Sequence, residues 1–108
     1  MDIRIRINED SYLVKDVGDR SSFSYIDNDG ALCAVDIDDE SFSLFRRAPE
    51  HITRLTLGEE KVLEMISGEG SFSFYPKDIE IRKNNDIISI VYTVEGDLKS
   101  IEIEYIGD

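Results

Sequence analysis

Few residues of this 108-residue chain are of the types that do chemistry, and those few stand apart from one another. His51 is the only histidine and Cys33 the only cysteine. A single histidine directly after Pro49-Glu50, with no nucleophile or second ligand spaced for it, reads as a solvated or capping donor. Cys33 lies in the apolar run Ala31-Leu32-Cys33-Ala34-Val35 and reads as a small buried hydrophobe. A reactive thiol would need basic neighbours to lower its pKa. Asp27-Asn28-Asp29-Gly30 has the look of a calcium loop's opening but lacks its later ligands and closing Glu, and a hairpin turn explains it. Asp36, Asp38, Asp39 and Glu40 could hold a cation loosely, although solvated turn charges are by far the better account of them. There is no Gly-rich phosphate loop, no paired His or Cys spacing, and no Gly-x-Ser-x-Gly elbow. The expectation is no catalytic residue, no metal and no cofactor.

Arg46 is different. Phe42 and Leu44 precede it at every second position, which turns its side chain toward the apolar face of a strand. A guanidinium there must be paired, since an unpaired buried charge costs several kcal/mol. It either braces the fold through a carboxylate or carbonyls, or clamps an anionic ligand bidentately. The bracing role is the commoner of the two. Tyr92 and Tyr105 fall on the inward parity of the last two strands, where a buried phenol needs a polar partner. Arg46, Tyr92 and Tyr105 are therefore the candidate ligand-binding residues, provided a phenol reaches the arginine.

The elements that must position them are strands. Ile88, Ile90, Tyr92 and Val94, then Ile101, Ile103 and Tyr105, alternate apolar residues on either side of Glu95-Gly96-Asp97, a long hairpin signal over Ile87–Val94 and Leu98–Ile106. Weaker versions of the pattern span Asp2–Asn8, Ser11–Val17, Ser22–Ile26, Leu32–Ile37, Phe42–Arg47 and Ile52–Leu57. Lys61–Ser67 fits a short amphipathic helix and, nearly as well, a strand. Ser71–Lys83 contains Pro76, which implies an edge position or a bulge. Nine to ten short strands with brief turns favour antiparallel neighbours in up-and-down order, all-β, as a single domain over 1–108. Closure, or near closure, into one β-barrel would remove exposed edges; a two-sheet sandwich is the alternative. The inward set then reads Ile3, Ile5, Phe42, Leu44, Leu55, Phe72, Phe74, Ile79, Ile88, Ile90, Tyr92, Ile101, Ile103 and Tyr105. These side chains are large enough to fill such a barrel, leaving at most a small pocket at one mouth.

Twenty-four acidic residues against twelve basic ones give a formal charge of -12. Such a surface repels phosphate backbones, so nucleic acid is not an expected partner. No apolar run approaches the roughly 20 residues of a membrane helix, and Met1–Arg6 has no apolar stretch of a signal peptide. The expected location is the cytoplasm, with no membrane association.

Three stretches carry a resemblance to a known family. Val35-Asp36-Ile37 with Phe42-Ser43-Leu44-Phe45-Arg46 is similar to a strand pair ending in arginine. Ile66-Ser67-Gly68-Glu69-Gly70-Ser71-Phe72 is similar to a hydroxyl-x-x-Gly turn before a long strand, and Ile88-Ser89-Ile90-Val91-Tyr92 with Ser100-Ile101-Glu102-Ile103 to a closing hairpin. In this order they resemble the YwiB-like family of bacterial proteins. That family usually has Gly shortly after the arginine, where this chain has Arg47-Ala48-Pro49, and commonly threonine where this chain has Ser67. The resemblance implies a calycin-type, lipocalin-like barrel and no assigned reaction. Two functions follow as expectations. One is a non-enzymatic binding domain for a small apolar or anionic ligand at one barrel end near Arg46. The other is an interaction or structural module whose acidic surface or edge strand engages a protein partner or a second copy.

Overall fold

The computed structural model describes residues 1–107. Every regular element among them is a strand: β1 Asp2–Ile7, β2 Asp10–Val14, β3 Ser22–Ile26, β4 Leu32–Ile37, β5 Phe42–Arg47, β6 His51–Leu57, β7 Lys61–Ser67, β8 Gly70–Phe74, β9 Lys77–Lys83, β10 Ile87–Val94 and β11 Asp97–Ile106. No helix is long and apolar enough to cross a membrane. Lys61–Ser67 is a strand, because all seven of its residues pair with β6 along an unbroken ladder from His51↔Ser67 to Leu57↔Lys61. Tertiary pairing overrides the helix propensity of Lys61, Leu63, Glu64 and Met65.

The strands form two antiparallel sheets, β2-β1-β11-β10-β9 and β3-β4-β5-β6-β7-β8. The expected closure is corrected on this point: the ladder is not closed into a barrel, and each sheet has two end strands. Pro76 supplies one reason. It has no N–H to donate, and it splits the expected strand Ser71–Lys83 into β8 and β9, which pair with different sheets. Asp78 with φ of 52° and a register shift between Val91 and Thr93 mark the start of β9 as bent.

The chain divides into two compact units, Met1–Arg20 with the segment from Pro76 onward, and Ser21–Tyr75. In the first, β11 is central between β1 and β10, and Ile3, Ile5, Ile90, Ile101 and Ile103 are almost fully buried. The β10–β11 turn has φ of 52° at Glu95 and 82° at Gly96, with Val94↔Asp97 closing it. Two successive positive φ values define a two-residue turn whose twist matches that of the strands. In the second unit, Phe42, Leu55, Leu57 and Val35 are buried.

The inward set is correct for most residues, with Phe72 the main correction. It is 60% exposed, because its strand β8 ends the sheet and has a neighbour on one side only.

Candidate functional site

Cross-strand register arranges the second unit's sheet into rows. One row runs Phe23, Val35, Leu44, Leu55, Leu63 and Phe74 across all six strands and is wholly apolar. Two residues along each strand, and therefore on the same face, runs Tyr25, Cys33, Arg46, Thr53, Met65 and Phe72. Exposure rises along this second row, from 2% at Cys33 to 40% at Met65 and 60% at Phe72. One end of the row is closed and polar; the other is open and apolar.

At the closed end Arg46 does what its parity suggested. Its Nε donates to Asp27 Oδ2 at 2.6 Å, Nη2 to Asp29 Oδ2 at 3.3 Å, and Nη1 to His51 Nε2 at 3.2 Å. A guanidinium cannot accept, so Nε2 of His51 takes the acceptor role in this contact. Asp27 is set by its own turn: Oδ1 accepts from the backbone N–H of Asp29 and Ala31, while its backbone carbonyl accepts from Gly30. Burial pushes the Asp27 carboxyl up, but the hydrogen bonds from Arg46, Ala31 and Asp29 and the arginine's charge outweigh it and hold the pKa below the usual aspartate value. The Asp27 side chain is 8% exposed and that of Arg46 26%, so water screens the pair only partly. This arginine braces the Asp27–Gly30 turn against β5.

Cys33 sits beneath it, with Sγ 3.8 Å from Asp27 Oδ2 and 3.9 Å from the Ala31 carbonyl. Burial raises its pKa, opposed by a hydrogen bond from Tyr25 and reinforced by the charge of Asp27. A thiol held protonated beside a carboxylate is a poor nucleophile.

The other two candidates belong to the first unit. Tyr92 is 7% exposed, and burial raises its hydroxyl's pKa. Tyr105 donates its hydroxyl to the Arg20 carbonyl at 2.9 Å, and the Arg20 guanidinium lies 4.2 Å from the ring centre. Burial raises the Tyr105 pKa against the opposing charge of Arg20. The phenol of Tyr105 is therefore satisfied by a backbone carbonyl within its own unit.

The open end was not foreseen. Met65 and Phe72 pair across β7 and β8, and beside them lies a cavity of about 450 Å³ lined by Glu50, His51, Met65, Ile66, Ser67, Gly68, Glu69 and Phe72. The β7–β8 turn is held by Ser67, whose Oγ accepts from the Glu69 backbone N–H at 3.2 Å and lies 3.5 Å from the Gly70 carbonyl. Three further facts escaped the sequence. Asp27 as the arginine's partner needed the Tyr25↔Cys33↔Arg46 register, although its parity with Tyr25 was visible. Met65 lay in the segment of undecided structure, and the openness of Phe72 depends on its strand's place in the sheet.

A second cavity, of about 750 Å³, is lined by Asp38, Asp39, Glu40, Ser41, Thr56, Gly58 and Glu59. Asp38 Oδ1 there accepts from the backbone N–H of Glu40 and Ser41, which makes it a turn residue. Among the described residues no group of three or more His, Cys, Asp or Glu side chains is placed to hold a metal ion. No family model, curated protein or solved structure matches this chain.

Proposed function

We propose that this protein is a binding module that engages a protein partner through the open end of its second sheet, at β7 and β8. The observation that supports this reading is the exposure gradient along the Cys33–Arg46–Thr53–Met65–Phe72 row. Apolar side chains on the same face are buried or half-buried elsewhere, so an exposed Met65–Phe72 pair at a sheet end is an unfilled contact surface. A photo-crosslinking residue in place of Phe72 tests it. It should trap one partner reproducibly, whereas the same residue in place of Leu98, 69% exposed near the start of β11 in the first unit, should not. Equal trapping at both positions refutes the reading.

A small-molecule ligand is the second reading, favoured by a cavity volume within the usual range of about 300–1,000 Å³ for ligand pockets. Its apolar part would rest on Met65 and Phe72. The anion-clamping role for Arg46 has less support, because Asp27 and Asp29 already neutralise the guanidinium. Native mass spectrometry of freshly purified protein should show a retained small molecule if this reading holds, and bare protein if it does not.

The finer fold assignment, kinship with the YwiB-like calycin barrels, is part of the same proposal. Its supports are the consecutive order β3 to β8 in one sheet, the order β9, β10, β11, β1, β2 in the other, where the last strand pairs with the first, and the Ser67-Gly68-Glu69-Gly70 turn. A cytoplasmic location goes with it, consistent with one buried free cysteine.

A further inference from the structure

We propose that the occupant of the β8 edge is an extended, lysine- and arginine-rich segment of another protein, which adds as a strand and seats one apolar side chain on Met65 and Phe72. This rests on reading β7–β8 as an interaction site and names the chemistry of what binds there.

The backbone supplies the first argument. β8 ends its sheet and residues 70–73 are all exposed, so one row of N–H and C=O groups is open to a further strand. Other end strands are guarded. β9 carries Lys77, Asp78, Glu80, Arg82 and Lys83, and β2 begins with Asp10. Charges of this kind deter a foreign strand. β8 reads Gly-Ser-Phe-Ser-Phe, with no charge and no proline. β3 is also uncharged, but its Phe23 and Tyr25 are each 8% exposed, against 60% for Phe72.

Side chains supply the second argument. Met65 and Phe72 lie side by side on adjacent strands, exposed, next to a cavity able to take a side chain. A strand that pairs with β8 places alternate residues on this face.

Charge selects among partners. Glu50 and Glu69 line the cavity and no Lys or Arg does, and the whole chain carries -12. A second copy of this chain and an acidic peptide are both repelled, while a basic segment is drawn in from about a Debye length of 8–10 Å.

Fluorescence anisotropy with synthetic peptides tests the proposal. The probe alternates Lys or Arg with Val around one Phe; control peptides carry Glu or Ser in place of each basic residue. The basic peptide should bind saturably and weaken severalfold between low and physiological salt. Phe72→Lys should cost about tenfold or more, since it charges both the edge and the apolar seat. Glu50→Gln combined with Glu69→Gln should weaken the basic peptide severalfold and leave the Ser peptide unchanged. Circular dichroism confirms that each variant is folded, and Phe72→Ser provides a second, uncharged substitution. If the Glu or Ser peptide binds as tightly as the basic one and Phe72→Ser weakens it, the edge is a protein site but the basic partner is overturned. If the basic peptide binds Phe72→Ser as well as the wild type, it is held elsewhere on the acidic surface and both readings fall. Absence of saturable binding by every peptide, or dimers abolished by Phe72→Lys in light scattering, overturns the proposal.

Discussion

The β10–β11 and β7–β8 hairpins use the same local grammar to different ends. Each has two antiparallel strands with large apolar residues at alternate positions, joined by a Gly-containing two-residue turn. In β10–β11, Ile88, Ile90, Tyr92, Ile101 and Ile103 are buried; in β7–β8, Met65 and Phe72 stand at 40% and 60% exposure. The difference is flanking. β10 and β11 have a hydrogen-bonded neighbour on both sides, whereas β8 has β7 alone. A hairpin pattern dictates pairing, and position in the sheet decides whether the apolar face becomes core or contact surface.

The comparison breaks most sharply under truncation. Ile103→Ala should cost about 2–5 kcal/mol, because Ile103 is fully buried and little can collapse into the void. Urea denaturation measures this, and a cost below about 1 kcal/mol would mean that the β10–β11 face is not core. Next in size is the brace at the closed end of the second sheet. Asp27→Asn should cost about 2–3 kcal/mol at neutral pH by removing a charged, partly buried partner of Arg46. The folded pKa of Asp27 lies below its unfolded value, so this contribution is complete above the ordinary aspartate value and fades as pH falls through the folded pKa. The gap between wild type and Asp27→Asn should therefore narrow below about pH 4 in denaturant melts. A constant gap down to strong acid would remove the ion pair as its cause.

The two turns differ as well. Gly96 has φ of 82° with nothing within 4 Å of where a Cβ would stand, so Gly96→Ala should cost about 1–2 kcal/mol from the backbone alone. Gly68 in the other turn has equally open surroundings and no positive φ, so Gly68→Ala should be near neutral. Thermal melts of the two variants compare them directly. Equal effects would show that turn strain does not separate the hairpins. Smallest of all is Phe72→Ser, expected within about 0.5 kcal/mol of wild type despite replacing an aromatic residue in a strand. A loss of 2 kcal/mol or more in urea, the cost expected at about that size for a core aromatic, would mean that Phe72 is core after all.

Much of the fold was legible in the chain. Leu32–Ile37, Phe42–Arg47 and Ile87–Val94 match the observed strands residue for residue, since alternation, turn residues and β-branched content agree there. Lys61–Ser67 was not legible, because its composition suits helix and strand alike and only pairing with β6 decides. Less of the site could be read. Arg46 could be picked out by parity and by the need to pair a buried cation, yet its partner, 19 positions away in the turn before β4, could not. Tyr105 looked like a candidate for that corner and instead donates to Arg20, 85 positions away, within the first unit.

What the sequence determined by itself is what acts over short distances: the period-2 alternation, the turn at Glu95-Gly96, and an irregularity in the strand at Pro76. Only the tertiary structure decided what depends on long-range register and neighbours. It set Asp27 against Arg46, and it left Met65 and Phe72 more open than the buried and half-buried apolar side chains that share their face. The reason is that strand pairing joins residues far apart in the chain, and exposure at a sheet's end is fixed by which strand has no further neighbour.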